Sequence, residues 1–208
     1  MAEIAVDVVL LPSEEMADKA IAANKELLKQ CPDKIVLDKE SCLPHISLAM
    51  GCINKRDIAD IEKILQAIAK QSSLGQLSAI GIHTGTNSTG EQVSVLQIEK
   101  TETLQSLHEE VMEKLAPYFN YDVTADMVLS PPMASESTLA WIKNYSEKSS
   151  FEKFSPHITI GYGEINNFLF PPQGVLWTIK FTASKLALCH LGNHCTCRRI
   201  LASAELKG

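Results

Sequence analysis

Two short segments of the chain carry the same residue types in the same order. Ser41 to Gly51 reads S-C-L-P-H-I-S-L-A-M-G, and Lys153 to Gly163 reads K-F-S-P-H-I-T-I-G-Y-G. Each offers an imidazole and, two residues on, a hydroxyl: His45 with Ser47, and His157 with Thr159. Residues i and i+2 of a strand point to one face, so each imidazole stands beside its hydroxyl. An imidazole titrates near neutral pH, and two of them can divide the work of general acid and general base. Hydroxyls can donate to the non-bridging oxygens of a phosphate diester and stabilise charge as it builds. The candidate catalytic residues are therefore His45 and His157, and the candidate phosphate-binding residues are Ser47 and Thr159. The scheme requires no metal and no cofactor.

A histidine followed by x-Ser/Thr is weak evidence alone. With six histidines, about one match arises by chance, since Ser plus Thr make up roughly an eighth of residues. A third match exists at His194-Cys195-Thr196, without the preceding proline and beside an expected turn. It is read as that chance match. The full pattern, Pro-His-Ile-Ser/Thr-apolar-x-x-Gly, occurs twice at a constant offset of 112 residues.

The elements that must position these residues are legible too. Ile4 to Leu11 is an apolar, β-branched run and reads as a buried strand. Ser13 caps a helix with the stripe Met16, Ala20, Ile21, Leu27 and Leu28. A strand follows near Leu43 to Met50. Asn54 caps a second helix carrying Ile58, Ile61, Ile64, Leu65 and Ile68. Strands at about 77–84 and 91–99 are joined by a turn at 86–90. Thr101 opens a third helix with Leu104, Leu107, Val111 and Leu115. A shorter helix spans Ser135 to Tyr145, a strand lies near His157 to Gly161, and a hairpin of about 175–190 and 195–205 ends the chain. Strand, hydroxyl cap, amphipathic helix and Pro-His motif thus recur in order. The expectation is an α+β fold over residues 1–208, one domain of two lobes related by an approximate two-fold, with repeat motifs at 41–51 and 153–163. If the lobes pair face to face, both imidazoles line one cleft.

Composition narrows the classes. The chain has 208 residues, 45% hydrophobic and 21% charged, which excludes intrinsic disorder. No run approaches the roughly 18 apolar residues of a membrane span, and the run at Ile4 to Leu11 carries Asp7. No basic region precedes that run, so it does not read as a secretory signal. The net charge of −6 argues against coating duplex nucleic acid. The expected partner is a nucleotide or an RNA end, with no membrane, for a monomeric cytoplasmic protein. The six cysteines are expected to be reduced thiols. Cys189, His190, His194, Cys195 and Cys197 have poor spacing for zinc, and none is assigned to a metal. Of Arg198 and Arg199 one should face inward, and Arg198 is taken as a substrate-binding candidate.

The paired motifs resemble the two-histidine (2H) phosphoesterase superfamily, which includes 2'-5' RNA ligase-like proteins and cyclic nucleotide phosphodiesterases. The resemblance rests on His45-Ile46-Ser47-Leu48 and His157-Ile158-Thr159-Ile160. It implies paired lobes of mainly antiparallel sheet with outer helices around a central cleft. It implies hydrolysis, or reversible ligation, at 2',3'-cyclic or 2'-5' phosphodiester bonds. It also implies His157 as base and His45 as acid. Many relatives carry an aromatic three residues after the hydroxyl. Tyr162 supplies it in the second motif as a substrate-binding candidate, whereas Met50 stands there in the first. The alternative is a nucleotide-binding sensor without significant turnover.

Overall fold

The computed structural model describes residues 2–32, 34–87, 89–165 and 178–206. In chain order the elements are β1 (Glu3–Pro12), α1 (Glu14–Leu27), β2 (Ile46–Asn54), α2 (Ile58–Gln71), β3 (Leu77–Thr86), β4 (Gln92–Ile98), α3 (Glu102–Leu115), α4 (Glu136–Lys148), β5 (His157–Tyr162), β6 (Ile179–Phe181), β7 (Ala183–Gly192) and β8 (Thr196–Glu205). The start of the expected hairpin at 175–177, and position 88 of the expected turn, lie outside the described residues. No described helix is long and apolar enough to cross a membrane. Thr101 caps α3 by accepting from Leu104 N–H. Ser13 stands at the N-cap of α1, but its side chain makes no capping bond there.

The strands form one sheet in the order β6-β3-β4-β5-β2-β1-β7-β8. Neighbouring strands in it run antiparallel. The order is symmetric about the seam between β5 and β2: β4 matches β1, β3 matches β7 and β6 matches β8. The two halves therefore join edge to edge, not face to face. The seam registers through Ile46 opposite Ile158, which are equivalent residues of the two repeats.

Each half also carries a bulge at an equivalent place. On β2, Ser47 faces Val9 and Ala49 faces Val8, leaving Leu48 as the extra residue. On β5, Thr159 faces Val95 and Gly161 faces Ser94, leaving Ile160 extra. A bulge shifts the face alternation by one position. The carbonyls of the extra residues lie in the buried interior and need donors. Asn24 of α1 donates to Ile160 O at 2.7 Å, and His108 of α3 donates from Nδ1 to Leu48 O at 2.6 Å. Both side chains are buried. Asn24 also donates to Ile35 O and accepts from Leu37 N–H, and His108 Nε2 accepts from Phe151 N–H. Burial disfavours the imidazolium and holds the His108 pKa below its ordinary value. Gly161 has φ +152°, and a Cβ there would approach Asn24 Nδ2 to 2.9 Å, so glycine lets α1 reach the bulge.

The helices cross between the halves. α1 leaves β1 but packs on β5, and α3 leaves β4 but packs on β2. Their apolar stripes match the sequence pattern: Met16, Ala20 and Leu27 on α1, and Leu104, Leu107, Val111 and Leu115 on α3 are all buried. α2 covers β7 and β8, and α4 packs against β2 and the turn Asn193–Cys195. Leu48 and Ile160 belong to the main core, while Val9, Ala187, Cys189 and Cys197 form a second small cluster.

Asn24→Ala leaves two buried carbonyls and one buried N–H without partners. It should cost about 2–5 kcal/mol in urea unfolding. The exposed neighbour Lys25→Ala should change stability by no more than about 0.5 kcal/mol.

Candidate functional site

The seam sets the geometry of the candidate residues. Because Ile46 faces Ile158 in an antiparallel pair, His45 falls opposite Thr159 and Ser47 opposite His157. All four side chains then lie on the face away from Ile46 and Ile158. Burial alternates accordingly: His45, Ser47, His157 and Thr159 are partly open, while Ile46, Leu48, Ile158 and Ile160 are buried. The imidazoles occupy one diagonal of a four-cornered patch and the hydroxyls the other. The two histidines are near enough for His157 to influence the charge of His45.

Both rings are fixed in the same way. His45 Nδ1 lies 2.7 Å from Leu43 O, and His157 Nδ1 lies 2.8 Å from Ser155 O. A carbonyl only accepts, so each Nδ1 carries the proton and each Nε2 is left as a bare lone pair. The accepting carbonyl comes in each case from the residue before the proline. Pro44 and Pro156 restrict that residue to extended conformations, which places its carbonyl under the ring. This is the physical use of the proline shared by both repeats.

Burial lowers the pKa of both histidines. His45, with its side chain 12% exposed, is held down to about 4, chiefly by desolvation and further by the neighbouring His157. The bond to Leu43 opposes the shift. His157 is lowered by desolvation and partly restored by the bond to Ser155. In the free protein both imidazoles are neutral at pH 7.

The bulges bring further residues onto this face. Tyr162 pairs with Val93, and Thr159 with Val95, so Tyr162 shares the face of Thr159 despite the odd spacing. Met50 reaches the same face on the other side, opposite Asp7. Tyr162 is 8% exposed and Met50 is 1% exposed. The Tyr162 hydroxyl lies 2.9 Å from His194 Nδ1. Lys34 Nζ sits 5.1 Å from the Tyr162 ring centroid and pairs with Glu91 at 2.6 Å. The chance-match histidine His194 thus ends beside the motif aromatic.

Asp7 is the residue that the motif pattern missed. It is fully buried. Its Oδ2 is hydrogen-bonded with Ser47 Oγ at 2.6 Å and lies 3.8 Å from His45 Nε2. Oδ1 has no partner. The signal was present in the sequence: one carboxylate inside an otherwise apolar strand is expensive to bury.

Arg198 is partly buried and Arg199 exposed, as expected of neighbours on a strand. Arg198 packs on Gly192, where a Cβ would come within 2.3 Å of its Cγ. Its Nε is enclosed, with no hydrogen-bond partner among the described residues. Its charge lies close enough to Cys42, at the start of the first motif, to act on that thiol. The reduced-thiol expectation fails for one pair: Cys189 and Cys197 form a disulfide across the β7–β8 hairpin, with Cα atoms 5.6 Å apart. The two are not register partners: Cys189 faces Ile200 and Cys197 faces Leu191. Cys31, Cys42, Cys52 and Cys195 are free. His190 Nε2 is bonded to Met127 O.

A family model of the 2'-5' RNA ligase superfamily matches residues 40–193. The fold is similar to TT0787 of Thermus thermophilus, with a TM-score of 0.57, 16% identity and 99% of each chain covered. It is similar to E. coli LigT in apo form, with a TM-score of 0.52, 15% identity and 100% of each chain covered. It is also similar to E. coli LigT complexed with 3'-AMP, with a TM-score of 0.51, 13% identity and 100% of each chain covered. No curated protein matches the sequence.

Both histidine pKa values lie below the unfolded value, so the unfolded chain binds more protons as pH falls. The stability that these residues contribute is present above pH 6.5 and is lost as pH falls toward about 4 for His45. His45→Asn should therefore be more stable than the parent in acid, by on the order of 2 kcal/mol near pH 4.5 compared with pH 7.5. Urea unfolding at the two pH values measures the difference.

Proposed function

As the chain belongs to the 2'-5' RNA ligase superfamily, we propose that it is a metal-independent phosphodiesterase acting on 2',3'-cyclic or 2'-5' phosphodiester bonds of nucleotides or RNA ends. The observation that carries this reading is the four-cornered patch. Two imidazoles, each with a bare Nε2, stand on one diagonal, and two hydroxyls stand on the other. A phosphodiester seated between them meets a base on one side and an acid on the other, as in-line displacement requires. For a 2',3'-cyclic substrate, His157 Nε2 takes a proton from water as its oxygen attacks phosphorus. The protonated His45 Nε2 delivers a proton to the departing ribose oxygen. Ser47 and Thr159 donate to the non-bridging oxygens, which gain charge in the five-coordinate transition state.

Substrate charge completes the acid. The free His45 is neutral at pH 7, and the anionic phosphate beside it favours the imidazolium. Tyr162, wedged between Lys34 and His194, supplies a flat surface on the second-motif side. The complex of E. coli LigT with 3'-AMP supports a nucleotide-sized ligand. The protein is proposed to act as a monomer. The buried Met50 at the equivalent first-motif position favours one further reading, a nucleotide sensor with little turnover, because stacking is then available on one side only.

Turnover of 2',3'-cyclic mononucleotides and short 2'-5' linked oligoadenylates in EDTA tests the proposal. Hydrolysis should persist, and restoration only by a divalent ion would overturn the metal-independent scheme. His45→Ala or His157→Ala should lower kcat by about 10²–10⁴, and the double variant should be little worse than the worse single one. Ser47→Ala and Thr159→Val should each cost about 1–3 kcal/mol of transition-state binding. The profile of kcat/KM reports the free enzyme. One neutral and one protonated imidazole are needed, and both pKa values are lowered. The bell should therefore peak on the acid side of pH 6.5. Tight nucleotide binding with no turnover at any pH would favour the sensor.

A further inference from the structure

The two halves of the site place a carboxyl group at only one of their unmatched positions. Asp7 of β1 faces Met50, and the equivalent pair in the other half is Val93 facing Tyr162. A carboxyl group stands behind Ser47 where only a valine stands near Thr159. Asp7 is fully buried; among the described residues its Oδ1 has no hydrogen-bond partner and no Lys or Arg forms an ion pair with it. Its neighbours are His45 just before β2, Ser47 on β2, Tyr145 on α4 and Cys195 in the turn Asn193–Cys195, with disulfide-bonded Cys189 opposite it on β7. None supplies a fixed positive charge.

The state of this carboxyl decides what Ser47 can do. A serine has one proton to donate. Were Asp7 ionised, it would take that proton at 2.6 Å, and Ser47 would turn lone pairs toward an incoming phosphate. Were Asp7 protonated, its own O–H would donate to Ser47 Oγ, and the serine proton would be free for the phosphoryl oxygen. Burial favours the second state, pushing the Asp7 carboxyl well above its ordinary range against the opposing pull of Ser47.

We propose that Asp7 is a positioning residue that, as the protonated acid, donates to Ser47 Oγ and turns the Ser47 hydroxyl proton outward onto a phosphoryl oxygen of the substrate. This rests on the phosphodiester reading of the site and deepens it. The first-motif hydroxyl is a polarised donor fed from behind, whereas Thr159 acts alone. The neutral acid also leaves His45 Nε2, 3.8 Å away, free of an anionic neighbour, so that the substrate supplies the charge which protonates it.

The test compares the full-length parent, Asp7→Asn and Asp7→Val. The amide of Asp7→Asn donates to Ser47 at every pH, and Asp7→Val copies Val93. Three readouts are used: carboxyl 13C chemical shift against pH, binding of inorganic phosphate, and turnover of a 2',3'-cyclic mononucleotide. The Asp7 carboxyl should remain protonated at pH 6. Asp7→Asn should keep kcat within about 3-fold of the parent, and Asp7→Val should lose about 10- to 100-fold while remaining folded. Phosphate affinity of the parent should weaken at high pH as Asp7 ionises, and that of Asp7→Asn should not, an outcome that needs no folded Asp7→Val. An Asp7 ionised at pH 5 overturns the proposal, as does Asp7→Val with parental turnover and affinity, or a folded Asp7→Asn as impaired as Asp7→Val. A parent without turnover would defeat the phosphodiesterase reading, and the carboxyl titration with the phosphate affinities would still decide the role of Asp7.

Discussion

The site depends on two buried carbonyls and the side chains that catch them. A bulge in each motif strand advances the face alternation by one residue and frees the oxygen of Leu48 or Ile160 from regular pairing. Without donors these oxygens would carry the desolvation penalty of unpaired polar groups. His108 and Asn24 supply the donors from helices that belong, by connection, to the opposite half. The bulges in turn carry Met50 and Tyr162 onto the face of the histidines. A packing interaction behind the sheet thus sets the composition of the surface in front of it.

The internal symmetry is close in the backbone around the two histidines and broken in their side-chain neighbours. Backbone carbonyls two residues upstream fix both imidazoles, with a proline between. Beyond that, Asp7 has Val93 as its counterpart and Tyr162 has Met50. One half therefore surrounds its histidine with a buried acid, and the other with an aromatic ring beneath a lysine. On the proposed reading, two copies of one unit supply matched positions for acid and base. The unmatched neighbours give the two positions different electrostatic surroundings, which suits the acid and base roles proposed for them.

Much of this was legible in the sequence because it is written in local periodicity. The stripes of α1, α2 and α3 are the faces that the structure buries, and the doubled motif placed four side chains that share one sheet face. What was not legible is non-local. Whether two halves meet by face or by edge depends on unpaired strand edges, which no window of residues reveals. The bulges follow from register between distant strands. Asn24 and His108 sit in helix stripes as polar interruptions, and only their distant acceptors explain them. The Cys189–Cys197 pair joins residues that are not register partners in the hairpin. Asp7 stood in plain view as a charge in an apolar strand, but its meaning required knowing that Ser47 lies across from Val9, two residues further along the same face.

The crossed helices have a mechanical consequence. Among the described residues, the seam between β2 and β5 registers through the single pair Ile46 and Ile158. So short a join would act as a hinge if nothing else spanned it. α1 and α3 are two straps laid across that hinge in opposite senses, each rooted in one half and fastened to the other. Prying the halves apart must peel both straps at once, together with the buried bonds at Ile160 and Leu48. The distance between the two imidazoles is accordingly braced from behind, so the proposed substrate would meet a surface whose spacing was fixed when the chain folded.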